Sequence, residues 1–464
     1  MKTKTNWAWP KRGVPMAEIR QAWNDAKRKN IDYRTDPVLG FPGTTPLPEA
    51  VAATRAMIPL QPNGIGIYTT GERTEMGFEG TQALEKDFVL RLANLLGSAK
   101  PETEVDGYLC NGGNEGNDHG TWLGRNWLLE HVRPKAPGGR GIAFMTSFLT
   151  HYSAEKQFNR FLKQEAGLIK KPADRNILKL LPTNAQGQLD AQILNQAILQ
   201  LYAVGYRRFL IVLTVGTINV GSIDAVEQID GLLDNLKTKL NPKGRSGLGF
   251  YVHVDGAFGG LVAPFVLPEV KFGFQNRSVM SISVDMHKMG SVPYPAGVFL
   301  CRKGLLQHTI TDAPYLFGHK DKTVPGSRSG TSAVACWSVM MKQGREGFRK
   351  RIQKCLNLTE WLRLGLINLE ATHGRIRFYP TQMDILTVRL PPSLRRAMES
   401  KDRSRKPLWE RYCVVRIKHF PKDLTRPVLR GKMKGSVVYR FLIMPHDTVE
   451  KIDQFLCELA EKTK

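Results

Sequence analysis

The stretch Ser281-Ile282-Ser283-Val284-Asp285-Met286-His287-Lys288-Met289-Gly290 decides the interpretation of this chain. A strand, predicted over residues 279–284, runs directly into a turn that carries a lysine and a glycine. A lysine in such a place is usually a solvated surface residue, because its charge is costly to bury. Whether Lys288 is a functional residue therefore depends on the segments around this stretch.

Apolar strand candidates alternate with helical patterns before and after this stretch. The strand candidates cover residues 107–110, 141–146, 209–213, 251–254, 279–284 and 296–301, and the helical patterns cover 80–96, 115–131, 153–160, 190–202 and 224–240. Apolar strands separated by helices are typical of an α/β domain with a mainly parallel sheet. We expect this large domain to span residues 56–334.

Two further segments flank the large domain. A long helical stretch from about Ser332 to Leu369 precedes strand-like pieces and a last helix, which predicts a smaller α+β domain over residues 335–464. Residues 1–55 are rich in proline and charge, and predict an arm with one helix near residues 17–29. Such an arm is rarely stable alone, so we expect it to pack on a partner subunit.

Composition excludes several classes of protein. Among the 464 residues, 42% are hydrophobic and 23% are charged, which excludes a disordered or collagenous chain. The formal net charge is +25, and residues 395–434 hold 14 Lys and Arg against four acids. Such a run is usually a solvated face, and the alternative is attraction of an acidic substrate or partner. No nucleic-acid module signature accompanies it, so we expect no nucleic-acid partner.

Three features that the sequence lacks bear on where the protein resides and on whether it binds a metal. No apolar run is long enough for a membrane span, and the first ten residues lack the apolar core of a secretory signal. The six cysteines lie far apart without a CxxC pair, which argues against a zinc ribbon or a disulfide scaffold. We therefore expect a cytoplasmic protein without a metal site.

Two polar segments lie at the ends of predicted strands, where α/β sheets bind ligands. Cys110-Asn111-Gly112-Gly113-Asn114-Glu115-Gly116-Asn117 leads into a helix, where glycines expose backbone N–H groups to an anion. His253-Val254-Asp255-Gly256-Ala257 places an acid at the carboxyl end of a strand, where α/β sheets bind ligands. Taken singly, the first is equally a tight turn and the second an acid that caps the next turn.

Two more segments share this pattern. Thr150-His151-Tyr152-Ser153 puts a histidine between a strand and a helix, where it can lie against a flat ring or merely precede the helix. Gly326-Ser327-Arg328-Ser329-Gly330-Thr331-Ser332 is a turn that can complete a phosphate site or only cap a helix. Together with Lys288, the four segments supply what pyridoxal phosphate needs: a Schiff-base lysine, an acid for the pyridine nitrogen, an anion seat and a ring contact.

These motifs, in this order, resemble the group II pyridoxal-phosphate-dependent amino acid decarboxylases, with the histidine decarboxylases and the archaeal tyrosine/aspartate decarboxylases most similar. The resemblance runs from about residue 80 to the end and includes Gly344-Arg345-Glu346-Gly347-Phe348 and Met444-Pro445-His446-Asp447-Thr448. It implies the aspartate-aminotransferase-like fold (fold type I), with a mainly parallel seven-stranded sheet and a smaller α+β C-terminal domain. It also implies a homodimer.

The resemblance implies an enzyme that converts an L-amino acid to its amine and CO2 through a Lys288 aldimine and a quinonoid intermediate. Asp255 would pair with the pyridinium nitrogen, and His151 would stack on the ring. The implied cofactor-binding residues are Gly113, Asn114, His151, Thr214, Thr217, Asp255, Ala257, His287, Lys288, Ser327 and Ser329, the two serines from this chain or from the neighbouring subunit. A carbon–carbon lyase of the sphingosine-phosphate lyase type and a decarboxylation-dependent oxidase stay open as alternatives.

The substrate residues follow less directly from the motifs. Tyr68 is a candidate wall of the pocket, or simply a core aromatic residue, and Arg440 is a candidate for binding the substrate carboxylate. Tyr315 and His319 lie in the segment that corresponds to the family's mobile catalytic loop, and are candidate proton donors. Asn114 departs from the Thr or Ser that relatives usually carry there, which puts the phosphate contact in doubt. The amino acid itself stays open.

Overall fold

A sheet of seven strands forms the centre of the molecule, which is described by a computed structural model. The structure describes residues 10, 12–72, 75–133, 141–163, 174–241, 247–316, 318, 320–401, 406–426 and 435–463. The strands of this sheet are β1 Val105–Cys110, β2 Ile142–Ser147, β3 Ile177–Leu181, β4 Arg208–Thr214, β5 Gly249–Asp255, β6 Val279–Asp285 and β7 Gly297–Arg302. Their order across the sheet is β1-β7-β6-β5-β4-β2-β3.

The sheet is mainly parallel, as the sequence predicts. Strand β7 alone among these seven runs antiparallel to its neighbours β1 and β6, whereas β2 to β6 pair in parallel. Every residue of β4 and β5 is buried, which is typical of strands covered by helices on both faces. Strand β3 was missed in the sequence because it is an edge strand: only Leu181 of it is buried, so it lacks a continuous apolar run.

Helices cover both faces of the sheet and connect its strands. The helices of the N-terminal part and the large domain are α1 Met16–Lys29, α2 Pro48–Met57, α3 Glu79–Leu95, α4 Pro101–Glu104, α5 Gly113–His131, α6 Ser153–Gln157, α7 Ala191–Ala203, α8 Val226–Leu240 and α9 Ala263–Val266. A single π-helical turn, Phe158–Leu162, continues α6. None of the described helices is long and apolar enough to cross a membrane.

Helix α5 lies unusually close to the sheet because glycines face it. A Cβ atom at Gly120 would come within 2.3 Å of His253 Nδ1, and one at Gly124 within 2.6 Å of the Tyr251 ring. Only glycine permits this approach, since real Cβ atoms do not come so near a neighbouring side chain. The close packing places the first turn of α5 at the carboxyl ends of β5 and β6.

The smaller domain contains an antiparallel four-stranded sheet. Its order is β10-β11-β13-β12. Its elements, with the small hairpin β8–β9 that precedes it, are β8 Thr311–Asp312, β9 Lys320–Asp321, α10 Gly330–Asn368, α11 Glu370–His373, β10 Arg377–Phe378, β11 Ile385–Arg389, α12 Pro392–Glu399, α13 Leu408–Arg411, β12 Val415–Phe420, β13 Ser436–Leu442 and α14 Val449–Glu461. The predicted long helix is α10, and it kinks at Gly344, where φ is 56° and ψ is −175°.

The N-terminal arm contacts its own chain over part of its length. Leu39 is fully buried; its N–H donates to Tyr412 O at 2.9 Å, and its carbonyl accepts from Leu442 N at 2.8 Å. Helix α2 packs on α10. Helix α1 forms as predicted, and none of its residues is buried. Packing on a partner subunit therefore stays a prediction, and it concerns α1 more than the rest of the arm.

Candidate active site

A cavity of about 180 Å³ opens where three neighbouring parallel strands end. Thr214, Asp255 and Asp285 are the last residues of β4, β5 and β6, and Gly113 is the first residue of α5. Carboxyl ends of parallel strands beside a helix N-terminus are the usual ligand site of α/β folds. The predicted site residues that line this cavity are Gly113, Asn114, His151, Thr214, Asp255, Ala257, Lys288 and Arg440.

The Asp255 carboxylate is fixed by two hydrogen bonds. Asn117 Nδ2 donates to Asp255 Oδ2 at 2.9 Å, and the Ala257 N–H donates to Oδ1 at 3.1 Å. Asn117 Oδ1 is in turn 2.8 Å from His253 Nε2. Burial lowers the pKa of His253 to about 3, so this imidazole is neutral and can donate from Nε2. The arrangement orients an acid toward the cavity, and the two groups that donate to it carry no charge.

Lys288 lies beside a different acid. Its Nζ is 2.7 Å from Asp285 Oδ2, and its side chain is 22% exposed. Burial lowers the pKa of Lys288, but attraction and hydrogen bonding to Asp285, with a further contribution from Asp255, outweigh burial and leave this pKa above its ordinary value. The ammonium is therefore held in the cavity in its charged form.

The start of α5, where the sequence predicts an anion-binding site, lies at the cavity. The Gly113 N–H donates to Asp285 Oδ1 at 2.5 Å. Asn114 Oδ1 is buried and has no hydrogen-bond partner among the described residues. A Cβ atom at Gly113 would come within 2.7 Å of the Ala257 Cβ and 3.1 Å of Asp285 Oδ2, so glycine keeps this space open.

His151 and Thr214 line the cavity from the strand ends. The Ser153 N–H donates to His151 Nδ1 at 3.3 Å, and the two hydroxyls of Thr150 and Thr214 are 3.2 Å apart. Burial lowers the pKa of His151, although the nearby Asp255 opposes this shift. A neutral imidazole at this position is compatible with contact to a flat ring, and that role of His151 stays a prediction.

Four predicted cofactor residues do not line the cavity. The Thr217 hydroxyl lies 2.7 Å from Ser222 Oγ inside a buried turn. His287 stacks on Tyr294 with ring centroids 4.1 Å apart, and its Nε2 lies 3.5 Å from Asp285. Ser327 Oγ accepts from Asn63, and Ser329 Oγ caps α10. Their roles stay predictions, and for the two serines a contribution to a neighbouring subunit's cavity remains part of that prediction.

The predicted substrate residues have separate outcomes. Arg440 lines the cavity, whereas Tyr68 is 9% exposed and donates its hydroxyl to Ile65 O at 2.8 Å, as a core aromatic residue does. Tyr315 is 88% exposed and does not reach the cavity. His319 lies outside the described residues.

Sequence reasoning missed the apolar wall of the cavity and two of its polar residues. Asn117 and Asp285 both line the cavity, and both stand inside the quoted motifs without a role. Asn117 sits one helical turn after Gly113, and this spacing places it on the same face of α5. The position of Asp285 at a strand end, three residues before Lys288, was a comparable signal.

The cavity fits pyridoxal phosphate on three structural observations. The space beside Gly113 would be filled by any Cβ atom. The Asn114 amide oxygen is buried without a hydrogen-bond partner among the described residues. Asp255 lines the same cavity as Lys288. These positions match an anion seat, a polar edge and an acid that can hold a proton on the ring nitrogen.

Comparison with known proteins agrees with this fit. The pyridoxal-dependent decarboxylase conserved domain matches residues 82–373, so the chain belongs to this family. Tryptophan decarboxylase of Clostridium sporogenes is 28% identical over 459 residues, 96% of each chain. The probable L-tyrosine/L-aspartate decarboxylase of Methanosarcina barkeri is 26% identical over 461 residues, 97% of this chain and 98% of the relative.

Solved structures share the fold at low sequence identity. L-methionine decarboxylase from Streptomyces sp. 590 has a TM-score of 0.78 at 20% identity, over 98% of this chain and 97% of the other. A sphingosine-1-phosphate lyase of Burkholderia pseudomallei has a TM-score of 0.71 at 16% identity, over 99% and 93%. The fold alone therefore admits both chemistries, and the family match decides for decarboxylation. The protein is a pyridoxal-phosphate-dependent amino acid decarboxylase, a carboxy-lyase of fold type I.

Proposed function

We propose that the chain converts an L-amino acid to its amine and CO2, with Lys288, Asp255 and His151 as its catalytic residues. The observation that carries this proposal is the convergence of the three side chains on one cavity at the strand ends. The cofactor supplies an electron sink for the charge left at Cα when CO2 departs. Asp255, clamped by Asn117, would hold a proton on the ring nitrogen, and His151 would cover the ring.

Arg440 is the proposed anchor for the substrate carboxylate. It is 5% exposed, and its NH1 and NH2 donate to the carbonyls of Ile218 and Gly40 at 3.0 and 2.7 Å. Its Nε has no partner among the described residues. Burial lowers the pKa of Arg440 to about 10, so it stays charged at neutral pH. A buried guanidinium bonded only to neutral carbonyls favours an anionic ligand.

The remaining cavity wall supports an apolar substrate side chain. The apolar residues that line it, together with Arg440, are Pro42, Ile218, Phe258, Ile385 and Leu442. Such a wall offers an amino acid side chain contact area and few hydrogen bonds, so aliphatic, thioether or aromatic substrates should be preferred to acidic ones. Among the relatives above, the name of the Clostridium sporogenes enzyme gives an aromatic substrate, tryptophan, which supports this choice, whereas that of the Methanosarcina barkeri enzyme gives both tyrosine and aspartate.

The proposal includes a homodimer in the cytoplasm. Helix α1 exposes Met16 and Trp23, at 50% and 56%, and these apolar groups suit contact with a second copy. All six cysteines are free thiols, which suits a reducing compartment. Light scattering of the purified full chain tests the dimer, and a monomer at working concentration would contradict it.

One experiment tests the reaction and the assignment of Lys288. The protein is loaded with pyridoxal phosphate and incubated with each common amino acid, and CO2 and amine are quantified by mass spectrometry. We expect amine and CO2 in equal amounts from an apolar amino acid. Aldehyde with ammonia and peroxide would indicate an oxidase, and aldehyde with phosphoethanolamine from sphingosine phosphate, incubated in parallel, would indicate lyase chemistry. Lys288→Ala should abolish the visible cofactor band, while the exposed Lys239→Ala on α8 should retain it.

A further inference from the structure

Asp285 contacts both the start of α5 and the Lys288 ammonium. Its carboxylate is 3% exposed and accepts the Gly113 N–H at the start of α5 through Oδ1. Its Oδ2 contacts the Lys288 ammonium at 2.7 Å and lies 3.5 Å from His287 Nε2. One carboxylate thus joins the anion seat to the lysine.

The same donors suit a phosphate oxygen. A helix N-terminus with exposed N–H groups binds anions, and the adjacent ammonium and imidazole add positive charge or further donors. The carboxylate of Asp285 is itself an anion at this seat. A phosphate that approaches Gly113 therefore meets a group of like charge that already accepts the hydrogen bond it needs.

We propose that Asp285 is a positioning residue that competes with the cofactor phosphate for the start of α5, and that phosphate binding there releases Lys288 for reaction with the cofactor aldehyde. The inference rests on the proposed function, because it concerns how the same cavity takes up its cofactor. Asp285 would thereby set the order of the two steps: the phosphate binds at the start of α5 first, and Lys288 becomes nucleophilic afterwards.

The chemistry of the bond requires this release. An ammonium has no lone pair, so Lys288 must first lose a proton to solvent. The free amine then adds to the aldehyde carbon, the adduct loses water, and a C=N bond replaces the C=O bond. Asp285 keeps Lys288 charged and therefore unreactive. Moving the carboxylate away removes that attraction.

Pyridoxal, which lacks the phosphate, tests the proposal on cofactor-stripped full-length protein. Labelling of Lys288 by pyridoxal is stopped with borohydride and quantified by peptide mass spectrometry, with inorganic phosphate or with chloride at equal ionic strength. Loss of the attraction to Asp285 lowers the pKa of Lys288 and raises its fraction of free amine at neutral pH, so phosphate should accelerate labelling about tenfold. An unchanged or slower rate with phosphate overturns the proposal.

Asp285→Asn should label rapidly without phosphate, and phosphate should change its rate less than about twofold because the competing charge is gone. Asp106→Asn is the matched control: Asp106 is also a buried acid, paired with Lys303 at 3.0 Å, but it lies on β1 away from the cavity. This control should keep the phosphate acceleration. The same acceleration in Asp285→Asn would refute the role of Asp285.

Two outcomes separate this inference from the proposed function. If Asp285→Asn does not fold, judged by circular dichroism, the phosphate dependence of the wild-type rate decides the inference by itself. A wild-type protein that binds pyridoxal phosphate and forms amine, yet shows no phosphate effect on labelling by pyridoxal, refutes only the role of Asp285. A protein that forms no visible band with pyridoxal phosphate refutes the proposed function.

Discussion

Gly113→Ala adds one methyl group at the start of α5, in the wall of the cavity. The new Cβ would lie 2.7 Å from the Ala257 Cβ and 3.1 Å from Asp285 Oδ2. Neither neighbour can move freely, because Ala257 follows a buried strand and its N–H is bonded to Asp255, while Asp285 ends β6. The helix start must therefore shift away from the strand ends.

Two effects of this change have opposite signs. Forcing a methyl group into a packed interior costs about 1–3 kcal/mol, whereas alanine in place of glycine in a helix gains about 0.5–1 kcal/mol. The net loss of folding stability should be about 0–2.5 kcal/mol. A shifted helix start also weakens its hydrogen bond to the phosphate, and a hydrogen bond to a charged group contributes about 1.5–3 kcal/mol. Cofactor affinity should therefore fall about 10- to 100-fold.

Pyridoxal phosphate binding is measured by titration, followed through the visible absorbance band of the bound cofactor. Folding stability is measured by urea unfolding of the cofactor-free protein. Gly231→Ala is the control, because Gly231 lies in α8 and a Cβ added there would meet no neighbouring atom within 4 Å. It should be slightly more stable than wild type and should bind the cofactor with unchanged affinity.

Cofactor affinity within about twofold of wild type in Gly113→Ala would refute the reasoning, since the helix start could then not be part of the anion seat. Equal losses of affinity in Gly113→Ala and Gly231→Ala would refute it as well, because the effect would then follow from replacing a helical glycine and not from the contact with Ala257.

Three further predictions concern individual charged residues. Asp255→Asn should retain bound cofactor but lower kcat by orders of magnitude, measured as amine release, because the asparagine does not hold a proton on the ring nitrogen. Arg440→Met should raise KM far more than it lowers kcat, since an anchor contributes to substrate and transition state alike; a loss confined to kcat would contradict this role. Burial, with Asp447 nearby, raises the pKa of Asp384 to about 7, above its unfolded value. Its protonated form thus stabilises the fold at low pH, and this contribution is lost as pH rises from about 4 to 7. In urea unfolding, Asp384→Asn should match wild type near pH 4 and exceed it near pH 8.

Elements whose residues are all buried were predictable from the sequence. Strand β4 carries an unbroken apolar run and β5 a run interrupted by His253, and the sequence places both strands within two residues of their observed bounds. Strand β3 was not predictable, because an edge strand with exposed Lys179 has no such run. Helix α12 was missed too: it is a short amphipathic helix inside a basic segment, and charge there hid the spacing of Leu394, Ala397 and Met398.

The sequence predicts which side chains lie at the cavity where this depends on neighbouring residues, but not where it depends on distant parts of the chain. Asp255 follows from its place at a strand end. The Thr217 hydroxyl bonds to Ser222 only because the chain turns between them, which a motif does not reveal. Asp285 accepts from Gly113, 172 residues earlier in the chain, so only the packing of α5 on the sheet brings the two together.

Asp255 and Asp285 show how neighbours decide the chemistry of equivalent positions. Both are the last residue of a parallel strand, and their strands β5 and β6 are adjacent. Asp255 receives an amide and a backbone N–H, neither of which carries charge, so its own charge stays available to a ring nitrogen. Asp285 accepts the Gly113 N–H at the start of α5 and pairs with the Lys288 ammonium, so its charge is already balanced by these contacts. The same residue type at the same strand end thus suits a cofactor acid in one case and a competitor of the cofactor phosphate in the other.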